Sequence, residues 1–219
     1  IKEVRILSIN MSSSGQSFDS LFADLSHPNP NIRFDACSLL AEYFPDEALP
    51  KLFVLMHDPD PGAYRTAVKA LGMLGHRSLP GLIQLFNDSD DGTIRACCIK
   101  AIVQVSVHCP DQAFPIQVLT MLEEAMDDSN PVVAQSALMT LGHLSKQAPE
   151  EDRVIPLLIK ACDSSNIAHV QGAAMSLAEI DSPLVNQCLK GLVDDELKDS
   201  LIREVALASL ERRQSLGLN

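Results

Sequence analysis

Tryptophan is absent from the 219 residues, and aromatic residues together reach only 4%. So few rings are a poor basis for the aromatic-rich core of a sheet sandwich, whereas abundant Leu and Ala suit helices packed at close range. An all-α protein is expected. Basic residues are scarce as well, 17 Lys and Arg against 29 Asp and Glu, for a formal net charge of −12. That balance argues against general binding of a phosphate backbone, which depends on clustered cations. The densest basic group, Arg203, Arg212 and Arg213, falls near the C-terminus, where cations suit a helix dipole. No apolar run approaches the roughly 20 residues of a membrane span, and no basic-plus-apolar leader opens the chain. A cytoplasmic protein is expected, with neither a membrane span nor nucleic acid as a partner.

The chemical motifs are missing too. There is no G-x-S-x-G, phosphate-binding loop, dinucleotide glycine fingerprint or H-E-x-x-H. The six cysteines, Cys37, Cys97, Cys98, Cys109, Cys162 and Cys188, form no C-x-x-C pair. Most fall on expected buried helix faces, where Cys acts as a small hydrophobe in a reducing setting. Cys97 and Cys98 are adjacent, so on a helix they point about 100° apart and cannot share one metal unaided. One of them is expected in the core, and no catalytic residue, metal or cofactor is expected.

What is present is a helical hairpin, clearest from Glu47 to Leu74. Leu49, Leu52, Phe53 and Met56 recur at helical spacing, as do Ala67, Ala70, Leu71 and Leu74. Between them Asp58-Pro59-Asp60-Pro61-Gly62 stops one helix and starts the next, because proline cannot donate inside a helix and suits its first turn. A hairpin this small cannot bury its own apolar faces. It needs neighbours.

The neighbours are copies. Aligned on the residue that ends each apolar triplet, Leu40, Leu71, Ile102, Leu141, Leu177 and Leu210 occupy one slot, at intervals of 31, 31, 39, 36 and 33. A small residue follows at Ala41, Gly72, Gly142 and Ala178, and a further apolar position recurs at Tyr43, Leu74, Val105, Leu144 and Ile180. Self-similarity at this period predicts a helical solenoid, here an α-solenoid of about six hairpins over residues 17–213. Residues 1–16 read as a lead whose first ten residues, ahead of Met11, are either upstream sequence or an N-terminal helix or strand of the protein itself, and 214–219 read as a tail. Pro50, Pro80 and Pro156 are expected near the starts of first helices. Asp58, Asp88, Asp127-Asp128, Asp163 and Asp194-Asp195 read as caps or turn residues rather than calcium loops, whose central Gly and final Glu are missing.

Turns such as Pro30-Asn31-Ile32-Arg33, Asp91-Gly92-Thr93-Ile94-Arg95, Asn130-Pro131-Val132-Val133 and Leu201-Ile202-Arg203, each opening an Ala-rich second helix, resemble HEAT repeats. Arg33, Arg95 and Arg203 fill the basic slot of that family; Arg65 is displaced by one, and Ala134 and Val170 replace it. Short repeats with the run Ala70-Leu71-Gly72-Met73-Leu74-Gly75 resemble the bacterial phycobilin-lyase-like branch. That resemblance implies relatives that attach bilins to phycobiliproteins, take part in phycobilisome breakdown, or accompany iron–sulfur assembly proteins.

In such stacks the second helices line the concave, binding face. Counted from the anchors, its exposed stripe is expected to hold Asp35, Ser38, Glu42, Thr66, Lys69, Met73, Lys100, Gln104, Ser136, Met139, His143, Met175 and Glu179. The three methionines can adapt to a partner surface or a tetrapyrrole. The leading expectation is a non-catalytic adaptor whose concave face grips a protein, either a phycobiliprotein or an iron–sulfur assembly protein. The alternative is a phycobilin lyase or isomerase subunit, with a bilin held in the groove and joined to a phycobiliprotein cysteine.

Overall fold

The computed structural model describes residues 15–147 and 150–218. Most of the lead, including the ten residues before Met11, lies outside that range. Among the described residues there are helices and turns but no β-strand, and no helix is long and apolar enough to cross a membrane. The chain divides into two compact units, one ending at Cys109 and the other starting at Pro110.

The first unit contains α1 (Phe18–Asp24), α2 (Pro30–Tyr43), α3 (Pro45–Leu55), α4 (Pro61–Met73), α5 (Leu79–Asp88) and α6 (Gly92–His108). The second contains α7 (Ile116–Met126), α8 (Pro131–Leu144), α9 (Glu151–Ala161), α10 (Ile167–Leu177), α11 (Pro183–Asp194) and α12 (Ser200–Ser215). Each odd-numbered helix packs on the even-numbered helix after it, giving three hairpins per unit. The even-numbered second helices also pack on one another, α2 on α4 on α6 and α8 on α10 on α12.

One device opens every second helix. Asn29, Asp60, Asp91, Asn130, Asn166 and Asp199 are the N-caps, each accepting a backbone N–H from the first turn at 2.7–3.0 Å. The residue two positions earlier usually holds the cap in turn: Asp58 accepts the Asp60 N–H at 2.8 Å, and Asp128 that of Asn130 at 2.8 Å. Of the acidic positions singled out from the sequence, Asp58, Asp128 and Asp195 accept the N–H two residues on, while Ser89 and Ser164 take that role beside Asp88 and Asp163; the caps lie beyond them. Arg33, in the family's basic slot, braces the same turn by donating to the carbonyls of His27 and Pro28 at 2.7 and 3.1 Å.

Five of the six anchors, Leu40, Leu71, Ile102, Leu141 and Leu177, are fully buried. The small residues between them set helix spacing: a Cβ on Gly72 would lie 2.1 Å from the Gln104 Cβ, and one on Gly142 2.4 Å from the Ser176 Oγ. Four expectations need correction. Leu210 is only half-buried, and Arg213 goes inside instead, donating to the carbonyls of Leu177, Ile180 and Ser182 past the end of α10. The long aliphatic stem of Arg213 fills the site while its fork satisfies carbonyls that the end of α10 leaves open. The outermost position of the first hairpin is exposed at Tyr43, and Phe44 takes its place in the core, its ring 5.8 Å from that of Phe18. Pro50 and Pro156 sit inside α3 and α9 rather than at their starts, on exposed positions. The C-terminal tail is shorter than expected, because α12 runs on to Ser215.

Candidate functional site

The outward faces of the second helices carry the residues that sequence spacing assigned to binding. In the first unit Asp35, Ser38 and Glu42 are exposed on α2, Lys69 is exposed and Met73 half-buried on α4, and Lys100 is exposed with Gln104 half-buried on α6. Thr66 does not belong with them. It is 5% exposed, and its hydroxyl donates to the Gly62 carbonyl at 2.8 Å, one turn back. Position 66 falls about 100° around the helix from Arg65, on the buried side.

In the second unit Met139 on α8 and Met175 on α10 are 66% and 60% exposed. Their helices are in contact, and the two thioethers stand at equivalent positions. Ser136 and His143 are half-buried beside Met139. Burial, with Lys146 second, holds the His143 imidazole below its ordinary value and so neutral at pH 7. Glu179 is exposed but occupied: it accepts from Lys146 at 2.6 Å and from Arg212, which ties the ends of α8, α10 and α12 together. That clasp makes Glu179 a structural group before it is a ligand group. A second tie, missed by sequence spacing, fixes the loop before α7. Glu150 is 1% exposed, accepts the Phe114 N–H at 2.5 Å and pairs with Arg153, which also donates to the Phe114 carbonyl at 2.9 Å.

Both Cys97 and Cys98 are buried, where one of the two was expected in the core. Burial pushes the Cys98 thiol up to about 12 and the Cys37 thiol up to about 11. Cys188 on α11 differs. It is half-buried and shares a hydrogen bond with the Cys162 thiol at the end of α9, which lowers Cys188 and raises Cys162. Among the described residues no group of three His, Cys, Asp or Glu side chains is placed to hold a metal ion.

The sequence stripe also missed Phe34, 56% exposed on α2, and Arg65, exposed on α4. Arg65 had a signal: its displacement by one from the basic slot turns it about 100° away from the turn that Arg33 braces. Tyr64 occupies the slot instead.

The repeat geometry now meets the comparisons. A model of HEAT repeats matches residues 18–102 and 118–211, one stretch in each unit. The chain belongs to the HEAT-repeat family. Its likeness to the phycobilin-lyase-like branch also holds. The chain is 57% identical over 182 residues to "Bilin biosynthesis protein CpeZ" of Synechococcus sp. (strain WH8020), covering 83% of this chain and 98% of that protein. It is 32% identical over 202 residues to "Uncharacterized phycocyanin operon protein Z" of Pseudanabaena tenuis (strain PCC 7409), covering 92% and 97%. Among solved structures, the complex of CpcE and CpcF of phycocyanin lyase from Nostoc sp. PCC7120 shares the fold, with a TM-score of 0.54 at 19% identity, covering 74% of this chain and 98% of the matched one. These findings overturn the expectation of a non-catalytic adaptor. Repeat periodicity had favoured that reading because binding is what the architecture does in general, but a relative this similar is a bilin biosynthesis protein.

Proposed function

We propose that the chain is a subunit of a bilin lyase or isomerase, which receives an open-chain tetrapyrrole and helps join it to a cysteine of a phycobiliprotein. The observation that carries this reading is the 57% identity, over nearly the whole length, to a bilin biosynthesis protein. In thioether attachment the acceptor thiol adds across an exocyclic double bond of the bilin. The sulfur–carbon bond forms, and the proton ends on the neighbouring carbon. No nucleophile is required from the lyase, which agrees with the lack of a nucleophile–base motif in this chain. Its task is to hold the bilin extended, keep bulk water off the reacting carbon and present it to the thiol. In the first unit, second-helix faces that carry exposed cations suit a ligand with acidic arms. The likeness to a two-component lyase complex favours testing the chain both alone and with a second HEAT-repeat subunit.

The test is a ligation assay with purified chain, free bilin and an apo-phycobiliprotein subunit. Covalent product is read by visible absorption in acidic urea and by bilin fluorescence on a denaturing gel. We expect covalent adduct to accumulate faster, and with fewer side products, when the chain is present. Equal rates and products with and without it, alone and beside a second subunit, would contradict the reading.

A further inference from the structure

Helices α4 and α6 contain no Asp or Glu at all, in a chain whose net charge is −12. Their outward faces instead carry Arg65, Lys69 and Lys100, all exposed. Arg65 and Lys69 are four residues apart on α4 and so share a face. Lys69 and Lys100 are 31 residues apart, one repeat interval, and stand at equivalent points of two helices packed together. Gly72 against Gln104 makes that packing close. Burial pushes the Cys97 thiol beneath this face up, while Lys100 and then Arg65 oppose the shift. Arg65 and Lys100, one from each helix, thus act on the same sulfur.

Among the described residues most of the other cations are engaged; Lys190, Lys198 and Arg203, all in the second unit, are the exceptions. Lys51 stands 4.3 Å over the Phe18 ring, Arg77 pairs with Asp46 and Arg95 lies 4.6 Å over Phe86. Lys146 and Arg212 are on Glu179, and Lys160 is on Glu123. Lys69 and Lys100 have no ion-pair partner among the described residues, and Arg65 has only the ring of its neighbour Tyr64, 6.0 Å away. The acidic groups on the same face are Asp35 and Glu42 of α2, and neither pairs with them. Half-buried Met73 and Gln104 follow Lys69 and Lys100 by one turn and form an uncharged floor beside the cations.

Resting on the bilin reading above, we infer that the α4–α6 face is where the ligand's two carboxylate arms are held, Lys69 taking one propionate, Lys100 the other, and Arg65 adding to the field. Two cations on neighbouring helices match two carboxylates on neighbouring pyrrole rings, each on a short flexible arm. The tetrapyrrole then runs over Met73 and Gln104.

The probe is biliverdin with its dimethyl ester, titrated into the full chain and followed by the visible absorption band. The wild-type chain is expected to bind the free acid about tenfold more tightly than the ester, as two partly screened ion pairs allow, with the preference fading as ionic strength rises. Lys69→Glu with Lys100→Glu should remove the preference by weakening the acid and leaving the ester unchanged. Lys190→Glu, an exposed charge reversal on α11, should leave it intact. Binding of acid and ester with equal affinity by the wild-type chain overturns the inference alone. Loss of affinity for an acidic apo-phycobiliprotein subunit in the double variant, with biliverdin binding unchanged, overturns it in favour of a protein occupant. If no bilin binds at all, the proposed function fails with it.

Discussion

Cys188 is chemically unlike the other cysteines, and the cause is a single neighbour. In its thiolate form it accepts a hydrogen bond from Cys162, so its pKa is lowered, whereas desolvation raises Cys37, Cys97 and Cys98. Thiolates react with alkylating reagents and thiols do not. At pH 8, limiting iodoacetamide followed by peptide mass spectrometry should label Cys188 well before those three buried residues. Cys162→Ala removes the donor and should slow Cys188 labelling severalfold, even though it opens space beside the sulfur. Faster labelling in that variant would show that access, not ionisation, controls the site. None of this could be read from the sequence, where Cys162 and Cys188 are 26 residues apart in different repeats and share no motif.

At the scale of elements, spacing between second helices is set by residues with almost no side chain. Gly72→Ala places a methyl 2.1 Å from the Gln104 Cβ and 3.0 Å from its backbone carbon, so α4 and α6 must separate. Alanine gains about 1 kcal/mol in helix propensity over glycine, but overpacking against backbone costs about 1–3 kcal/mol. We expect a net loss in denaturant unfolding. Gly191→Ala on α11 meets nothing within 4 Å and should gain roughly 0.5–1 kcal/mol. If both changes stabilise, the close approach is not real. The sequence showed this much in advance: the repeat period, the small residue after the anchor and the hairpin order all survive, because each follows from which residues must face a neighbour. The end of the array read less well, since periodicity alone predicts a buried leucine at position 210 and cannot foresee an arginine folding inward over the end of α10. Face assignment was good to about one position in the helical turn. Lys69, Lys100, Met139 and Met175 are exposed as spacing predicts, and Thr66 is not.

Across the whole molecule, titratable groups bracket a range of highest stability. His143 and Glu179 are both lowered on folding, His143 by burial and Glu179 first by its hydrogen bonds from Lys146 and Arg212. Their contributions are present above the unfolded values and fade as pH falls, first below about 6.5 for the histidine and then below about 4.5 for the carboxylate. The thiols of Cys37 and Cys98 are raised from 9.0 to about 11 and about 12, so their contribution is complete below 9 and is lost as pH rises through those values. Midpoints of thermal unfolding should therefore fall below about pH 7 and again above about 9, with a shallow rise between the two where the lowered Cys188 thiol ionises. Glu179→Gln should flatten the acid side, and an acid limb unchanged by it would mean that other carboxylates dominate. The six N-caps carry a different consequence, measured in storage time. Asparagine deteriorates when the backbone nitrogen of the next residue attacks its side-chain amide and closes a succinimide ring. At Asn29 and Asn130 the next residue is proline, whose nitrogen has no hydrogen to lose. Those two caps are closed to that route of ageing, while Asn166, followed by Ile167, has only the bulk of a branched neighbour to slow it.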